Sequence, residues 1–465
     1  KSISEGIVPS KFKISIVKPI FKNGDKKVLN NYRPISLITN FAKILEKIVK
    51  SRLITFLESN KLLSKNQFGF RPGIGTTDAL YKVTKLIYDA LDNSKKTIAV
   101  FLDFSKAFDT VDHNELLKIM PSFGIMKNSY KWFASYLKDR TQMVKINDNI
   151  GKKATLNCGV PQGSVLGPVL FIMYINSICN MQIDGSITTY ADDTCLVFSD
   201  NSWDLVHNKS VIETTRIIQK LNSIKITINF QKTNCMAFSI YSCSNFTFQE
   251  LIVCNNDNNT DNTTYSKINR VTKVRYLGLT FDYNMRWHVH IQNITTRLRT
   301  IIFKLYNIRN FISNDIMRIV YMSLYQSICQ YGIIVWGGAT ENILRPLITQ
   351  QNKVIRICLN KCNKIGSTNK NYLELSVLPV SQLYKKFTIS FILKKLSPLK
   401  NNTYKRETIA YDIKIKYAKK SIGQKFMDYL GPKAFNSLNF SDKKYLRINS
   451  AKNVNIYLNK ILLCE

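Results

Sequence analysis

The chain has 465 residues and carries 67 Lys or Arg against 31 Asp or Glu, a formal net charge of +36. This length predicts two or three packed units, and the charge predicts a polyanionic partner, with lysine drift in a Lys- and Asn-rich composition as the alternative. There is no run of 18 apolar residues and no signal-peptide core, so we expect no membrane span, no secretion, and an intracellular location, nuclear and/or cytoplasmic.

The first 95 residues mix a basic extended stretch with amphipathic helices. The extended stretch is KISIVKPIFKNGDKK, and the clearest helix is NFAKILEKIVKSRLITFLESN. In that helix the residues Phe41, Ile44, Leu45, Ile48 and Val49 recur at helical spacing. The spacing predicts an amphipathic helix with these residues as its apolar stripe.

From about residue 97 to residue 283 the pattern becomes one of strands with helices between them. TIAVFLDF, TTYADDTCLVFS and VRYLGLTFD are β-branched or aromatic runs, whereas VLGPVLFIMYINSICNM and residues 203–224 have helical patterns. After about residue 290 the chain is mainly helical and stays basic. This order predicts an α+β or α/β core followed by a helical region, with a boundary near residues 285–300.

Two adjacent acids stand out in TTYADDTCLVFS. Apolar strand residues flank a short polar tip, which predicts a hairpin with Asp192 and Asp193 at its turn. Two neighbouring carboxylates repel each other unless a cation sits with them. Taken alone, the pair is better explained as an exposed polar turn.

A third acid, Asp103, follows the buried-looking strand at residues 97–102. A carboxylate at a strand end can meet the hairpin tip in space, and Mg²⁺ prefers oxygen ligands of this kind. Three acids from two strands would hold two ions about 3.5 to 4 Å apart, a spacing suited to in-line displacement on phosphorus. One ion would lower the pKa of an attacking 3′-hydroxyl, and the other would neutralise a leaving pyrophosphate.

Between these acids lies GVPQGSVLGPVLFIMYIN, a glycine-rich loop followed by an apolar helix. Gly159, Gly163 and Gly167 let the backbone approach a ligand closely. Pro168 suits the first turn of the helix, and Gln162 projects an amide from the loop. The sequence contains no GxxxxGK[ST] or GxGxxG motif, which argues against an ordinary nucleotide-binding loop.

Seven motifs follow one another along the chain: NNYRPISL at 30–37, NQFGFRPGIGTTDAL at 66–80, FLDFSKAFDTVDH at 101–113, GVPQGSVLGPVLFIMYIN at 159–176, YADDT at 190–194, NFQKTNCMAFS at 229–239 and RYLGLTFD at 275–282. In this order and spacing they resemble the reverse transcriptases of non-LTR retrotransposons of the jockey and CR1 type. The resemblance covers roughly residues 10–290, and YMSLYQSICQYGIIVWG extends it into the helical part.

The resemblance implies a right-hand polymerase of the α+β class, with fingers, a ferredoxin-like palm sheet and a helical thumb. Residues 1–95 would form the fingers with a basic N-terminal segment. Residues 96–285 would form the palm, and residues 286–465 the thumb and a basic C-terminal region. The reverse transcriptase domain would span about residues 10–285.

The same resemblance implies the catalytic and metal-binding residues. Asp103 and Asp192 would bind two Mg²⁺ ions, for which Mn²⁺ could substitute. The Phe104 carbonyl would be a further ligand and Asp193 a weaker one. Lys232 in NFQKTN matches the position that would protonate the leaving pyrophosphate, and a strand-edge lysine is the equal alternative.

Four residues would bind the nucleotide. Phe108 falls where the family has an aromatic gate against a ribose 2′-hydroxyl, with a core aromatic as the alternative. Gln162 would line the pocket near the template base. Arg33 and Lys22 would clamp the triphosphate, because guanidinium and ammonium groups suit phosphate, although Lys22 also fits a solvated loop.

Two further motifs are assigned to the template and the primer. Phe68, Phe70 and Arg71 in QFGFRP interleave aromatic and cationic groups, which suit contact with a template strand. The following GTTDAL also predicts a helix N-cap. RYLGLTFD resembles the hairpin that grips the primer 3′ end, with Gly278 permitting a close approach.

The implied function is RNA-directed DNA polymerase activity, in which two metal ions assist the addition of dNTPs to a DNA 3′ end on an RNA template, in target-primed reverse transcription. The expected partners are the RNA template, the DNA primer or target, and dNTPs. The endonuclease of the family is expected upstream in the same polyprotein, outside this chain, and the oligomeric state is open. The alternatives are a decayed or repurposed nucleic-acid-binding remnant and, more weakly, a group II intron maturase or a telomerase.

Overall fold

The structure is a computed structural model and describes residues 1–240, 248–255, 264–361, 368–396 and 411–464. Its strands are β1 (Ile14–Phe21), β2 (Tyr32–Leu37), β3 (Lys96–Leu102), β4 (Arg140–Ile146), β5 (Asn149–Ile150), β6 (Ala154–Leu156), β7 (Ser186–Tyr190), β8 (Asp193–Asp200), β9 (Asn234–Phe238), β10 (Glu250–Cys254), β11 (Tyr265–Arg270), β12 (Lys273–Tyr276) and β13 (Leu279–Asp282).

The α-helices of these ranges are α1 (Ser2–Glu5), α2 (Asn40–Ser59), α3 (Thr76–Asp92), α4 (His113–Ile119), α5 (Lys127–Leu137), α6 (Gly167–Tyr174), α7 (Asn176–Cys179), α8 (Trp203–Ser223), α9 (His288–Ile308), α10 (Asn314–Val320), α11 (Ser327–Gln330), α12 (Ile333–Trp336), α13 (Glu341–Cys358), α14 (Thr368–Leu375), α15 (Val380–Leu396), α16 (Ser421–Gln424), α17 (Met427–Asn436), α18 (Phe440–Ile448) and α19 (Ala451–Cys464). A π-helix, Tyr321–Gln326, lies between α10 and α11. Of all the helices described, none is both long and apolar enough to cross a bilayer.

The central sheet has six strands in the order β10-β11-β9-β3-β8-β7. β3 is antiparallel to both of its neighbours, β8 and β9. Every residue of β3 from Thr97 to Leu102 is buried, because helices cover both faces of the sheet. The predicted α+β class is therefore confirmed.

Alternation along the strands divides the core into two hydrophobic clusters. Ile98, Val100 and Leu102 of β3 belong to one cluster, whereas Ala99 and Phe101 belong to the other. This follows from the period of two in a strand, which points successive side chains to opposite faces. The first cluster includes residues of α4, α6 and α8, and the second includes residues of α3 and of the helices after residue 286.

A second sheet, in the order β2-β1-β4-β5 with β6 paired to β4, comes from the first 160 residues. β1 is antiparallel to β2 and parallel to β4. Arg33 lies on β2, opposite Ile20 of β1, and Lys22 immediately follows β1. This sheet therefore carries both side chains that were predicted to bind a triphosphate.

α2 confirms the predicted helix but buries a different face. Phe41 and Ile44 of the predicted apolar stripe have 73% and 55% of their surface exposed. The buried face includes Glu46, whose carboxylate accepts hydrogen bonds from the N–H groups of Val165 and Leu166 at 2.6 and 3.2 Å. Because those N–H groups lie at the start of α6, Glu46 caps that helix from the buried face of α2, which also contains Ala42, Leu53 and Leu57.

The chain after residue 411 docks along α3. The Asp428 carboxylate accepts a 2.6 Å hydrogen bond from the Tyr81 hydroxyl and pairs with Lys85. Asp92 accepts hydrogen bonds from the backbone N–H groups of residues 419 and 420. α3 therefore shares its core and its polar contacts with the C-terminal helices, although it falls in the predicted fingers range. The three-part division of the chain stays a prediction.

Candidate active site

Three acids lie together at one end of the central sheet. β3 and β8 are antiparallel neighbours, so Asp103, just past the end of β3, lies at the end where Asp193 begins β8. β7 and β8 form a hairpin whose two-residue turn consists of Ala191 and Asp192. The structure thus brings together the three carboxylates that the sequence singled out.

These acids influence one another electrostatically. Burial raises the pKa of Asp103. Burial, with a contribution from the charge of Asp103, raises the pKa of Asp192. Partial withdrawal from water, together with the charges of Asp192 and Asp103, raises the pKa of Asp193 to about 6. A bound cation would stabilise such a cluster, because it offsets both the repulsion and the lost hydration.

The donor set fits a hard divalent cation, because carboxylates and main-chain oxygens are the ligands that Mg²⁺ takes. The bridge between Phe104 and Ile228 is closed by hydrogen bonds of Asp103 and Ser105, so it does not use the Phe104 carbonyl. As they stand, no three His, Cys, Asp or Glu side chains in the described part of the chain converge closely enough to hold an ion.

Three cationic side chains face these acids. Lys232 and Lys22 both act on Asp103 and offset part of the rise in its pKa. Arg33 acts in the same direction on the pKa of Asp192. All three cations are exposed to solvent. The site therefore combines a carboxylate cluster with solvent-exposed positive charges, a pattern that suits a polyphosphate held by a metal ion.

The loop between Gly159 and Gly167 is fixed at its centre, Gln162. The Gln162 carbonyl accepts a 2.7 Å hydrogen bond from the N–H of Ser36 in β2. The Gln162 side-chain amide donates to both carboxylate oxygens of Asp109, at 2.9 and 3.0 Å. The loop therefore joins β2 to the turn that follows Asp103.

Phe108 packs between two aromatic rings. Its ring is stacked on that of Phe171 with 4.6 Å between centroids, and the edge of Phe70 lies 6.3 Å away. Phe108 is only partly buried, so one part of the ring remains accessible. The structure thus gives it both a core contact and an accessible surface, and its role as a gate stays a prediction.

The segment that was predicted to contact a template has a different arrangement. The Arg71 guanidinium donates to both carboxylate oxygens of Glu58 at 2.7 Å and to the carbonyls of Ser64 and Gln67. Phe68 packs against the hydrophobic core. Of the three predicted residues only Phe70 is exposed. The bonds of Arg71 and the packing of Phe68 stabilise the chain itself, and template contact stays a prediction.

Gly278 lies in the tight turn between β12 and β13, with a φ of 80° that favours glycine. A Cβ at this position would come within 3.0 Å of the Tyr331 ring. The Tyr331 hydroxyl donates a 2.7 Å hydrogen bond to the Leu277 carbonyl. The predicted hairpin is present, and a residue of the C-terminal helical region covers its tip. Its contact with a primer stays a prediction.

Sequence reasoning missed two residues that hold the site. Asp109 is the partner of Gln162, and Thr233, almost fully buried, accepts the N–H of Asp103 through its hydroxyl at 3.1 Å. Both lie one residue away from predicted site residues, Phe108 and Lys232. Their position next to predicted site residues was the sequence signal that could have identified these two short polar side chains.

Similarity to known proteins agrees with this geometry. A family model described as "Reverse transcriptase (RNA-dependent DNA polymerase)" matches residues 20–281, which include all three acids. The chain is 28% identical over 366 residues to a probable RNA-directed DNA polymerase from transposon X-element of Drosophila melanogaster, covering 75% of this chain and 38% of that protein. It is also 28% identical over 379 residues to the RNA-directed DNA polymerase from mobile element jockey of the same species, covering 76% and 38%.

The chain therefore spans less than two fifths of the length of these relatives. Among solved structures, the telomerase of Candida tropicalis in complex with a fragment of telomeric RNA matches 98% of this chain and 65% of that chain. The TM-score is 0.42 and the sequence identity 12%.

Proposed function

Because the chain belongs to the reverse transcriptase (RNA-dependent DNA polymerase) family, we propose that it is an RNA-directed DNA polymerase that adds dNTPs to a DNA 3′ end on an RNA template. The observation that carries the proposal is the meeting of Asp103, Asp192 and Asp193 at one end of the central sheet. The cationic side chains that act on two of these acids support it.

Asp103, Asp192, Asp193 and the Phe104 carbonyl would hold two Mg²⁺ ions, or Mn²⁺ in their place. Ions bound there would lower the pKa of the primer 3′-hydroxyl and neutralise the charge of the leaving pyrophosphate. The chain contributes a fixed position for the main ligand, because Asp103 is held through its own N–H by Thr233 and through its carbonyl by Asn229.

The nucleotide would lie between the second sheet and the turn after β3. Arg33 and Lys22 would bind its triphosphate, since both face the acids. The exposed part of Phe108 would crowd a 2′-hydroxyl and favour deoxynucleotides. Gln162, fixed by Asp109, would line the pocket beside the template base.

Lys232 would donate the proton that the leaving pyrophosphate needs. It lies in the turn before β9 and acts on Asp103, which supports a position near the reacting phosphate. A protonated amine next to a developing negative charge is suited to general acid catalysis. The alternative of a lysine at a strand edge predicts no effect of its removal on the chemical step.

The names of the relatives support an origin in a non-LTR retrotransposon, where the reaction would be target-primed reverse transcription. The proposed partners are the element's RNA and a nicked DNA target, so the protein would act inside the cell, in the nucleus and/or the cytoplasm. Fingers, palm and thumb would follow the three ranges given above. The decayed remnant is not favoured, because all three acids are present and brought together.

Primer extension with the full chain tests the proposal. A DNA primer on an RNA template, with dNTPs and Mg²⁺, should be extended by the native chain. Asp103→Asn and Asp192→Asn should each lower the rate by at least about a thousandfold, since each removes a ligand charge that electrostatic catalysis needs. Asp148→Asn, in the exposed turn between β4 and β5, is the matched control and should extend normally.

Extension by Asp192→Asn at the native rate would show that the assigned acids are not the catalytic ones. RNA binding by the native chain without any extension would instead favour the nucleic-acid-binding remnant. A DNA template in place of RNA separates the template classes in the same assay.

A further inference from the structure

The segment Asn66–Gly69 lies along the edge of the central sheet, next to the hairpin that carries Asp192. The Phe68 N–H donates to the Thr189 carbonyl at 2.8 Å, and the Thr189 N–H donates to the Asn66 carbonyl at 2.9 Å. Gln67 stands opposite Thr189 in a parallel bridge. Because β7 is the last strand of the sheet, this segment extends the sheet by one short bridge.

Gln67 has no exposed surface. Its side chain points to the turn formed by Ala191 and Asp192, which we call the catalytic turn. The Oε1 oxygen accepts two backbone hydrogen bonds, from the Gly69 N–H at 2.7 Å and from the Ala191 N–H at 3.1 Å. The Nε2 nitrogen is buried and has no hydrogen-bond partner. Burying an unpaired amide nitrogen is costly, so the stabilising part of this side chain is the oxygen that holds the turn.

The turn needs such an acceptor. Ala191 has a φ of 56°, in the left-handed region that residues other than glycine rarely adopt. It lies inside a two-residue turn, where the paired strands offer its N–H no partner. Gly69 brings the backbone close, because a Cβ at that position would lie 2.5 Å from the Ala191 nitrogen. Within the described residues, the acceptor of this N–H is therefore the Gln67 side chain.

We infer that Gln67 is a positioning residue for Asp192. By holding the Ala191 N–H it fixes the strained turn, and with it the carboxylate one residue later, against repulsion from Asp103. Removing the Gln67 oxygen would let the turn relax and would move the Asp192 carboxylate away from Asp103 and Asp193. This inference rests on the proposed function, since it assigns Asp192 to a metal site.

The inference can be tested with the full chain and a matched pair of variants. Gln67→Met keeps the approximate shape of the side chain and removes the acceptor. Gln351→Met is the control, because Gln351 is equally buried and accepts the Val380 N–H at 2.9 Å, far along the chain from the acids. Both variants lose a buried acceptor of backbone hydrogen bonds, and Gln351→Met also loses the bonds that its Nε2 donates to Tyr321 and Leu378, so general destabilisation should be at least as large in the control. Only Gln67 lies beside the turn that carries Asp192.

Two measurements separate positioning from general destabilisation. The first is binding of Mn²⁺ alone, followed by electron paramagnetic resonance; Gln67→Met should weaken it about tenfold or more, whereas Gln351→Met should not change it. The second is amide hydrogen exchange of the peptide 188–193, which should quicken in Gln67→Met and not in Gln351→Met. Gln67→Glu, which keeps an oxygen towards both N–H groups, should retain the native exchange.

Native Mn²⁺ affinity and native exchange in Gln67→Met would overturn the inference, as would equal losses in Gln351→Met. Failure of the proposed function gives a different result. If the native chain extends no primer, or binds no Mn²⁺, the polymerase assignment fails, and the exchange of the peptide 188–193 still decides whether Gln67 holds the turn.

Discussion

The side-chain amide of Gln162 donates through Nε2 to both carboxylate oxygens of Asp109, at 2.9 and 3.0 Å. Burial raises the pKa of Asp109, and the bonds from Gln162 offset part of that rise. With Nε2 held in this way, Oε1 is the part of the amide left for a substrate. Gln162 is thus oriented by the turn that also carries Phe108.

This relationship predicts coupled effects of substitution. Asp109→Ala and Gln162→Ala should each raise the KM for dNTP about tenfold, because each removes the oriented amide, and the double variant should be no worse than either alone. Steady-state primer extension measures KM and kcat separately. Asp109→Asn, which keeps one acceptor oxygen, should lose less. Additive losses in the double variant would show that Asp109 acts independently of Gln162.

We expect a smaller side chain at position 108 to reduce the discrimination between dNTPs and NTPs. Phe108→Val should lower the preference for dNTPs over NTPs by at least about tenfold, because the accessible part of its ring no longer crowds the 2′-hydroxyl. The ratio of kcat/KM for the two substrates measures this. Phe440→Val, at a 57% exposed position in α18, is the control. An unchanged ratio in Phe108→Val would leave Phe108 as a core aromatic stacked on Phe171.

The raised pKa of Asp193 predicts a dependence of stability on pH. Its pKa rises from 3.8 to about 6 in the folded chain, so the folded state binds the proton more tightly than the unfolded state does. Without divalent ions the free energy of unfolding should therefore fall as pH increases from about 4 to about 6. After screening by solvent, the loss is on the order of 1 kcal/mol, because Asp193 keeps part of its surface in contact with solvent.

Asp193→Asn removes that loss. In EDTA it should be more stable than the native chain at pH 7.5 by on the order of 1 kcal/mol, and the difference should vanish near pH 4. Urea unfolding at the two pH values measures both differences, with Asp148→Asn as a control that shows neither. A variant that is less stable than the native chain at pH 7.5 would mean that Asp193 is stabilised by contacts other than those with its neighbouring acids.

We expect substitution of Arg71 to reduce the stability of the chain rather than its affinity for RNA. Arg71→Lys keeps the positive charge but cannot form the two parallel bonds to Glu58, so it should lower the free energy of unfolding by about 2 kcal/mol. Arg52→Lys, at an exposed position of α2, should be neutral. Urea unfolding and RNA binding at several salt concentrations give the two quantities. Native stability combined with weaker RNA binding in Arg71→Lys would restore the template role.

The acids could be located from the sequence because the physics that places them is local. Asp103 and Asp192 each follow a run of β-branched and apolar residues whose pattern marks a strand, and strand ends meet where strands pair. The α+β class followed from the same runs. The presence of the helix at residues 40–59 was predicted correctly for the same reason, because helical spacing is a property of a short stretch of chain, although the stripe it indicated is not the buried face.

The polar partners could not be located, because they depend on pairings between distant segments. Gln67 and Ala191 are 124 positions apart, and Asp109 and Gln162 are 53 apart. Such a contact depends on which sheet edge a segment joins, and periodicity does not encode that. The inward face of α2 was missed for the same reason, since Glu46 is buried by hydrogen bonds to the start of α6.

The contact between Tyr81 and Asp428 links residues 347 positions apart and therefore constrains how the protein is made. A ribosome adds roughly 5–20 residues per second, so α3 emerges roughly 20–70 s before the segment that completes its packing. During that interval Tyr81 and Tyr88 lack the Phe426 ring on which both of them stack. A chain that stops before Phe426 therefore leaves this face of α3 uncovered.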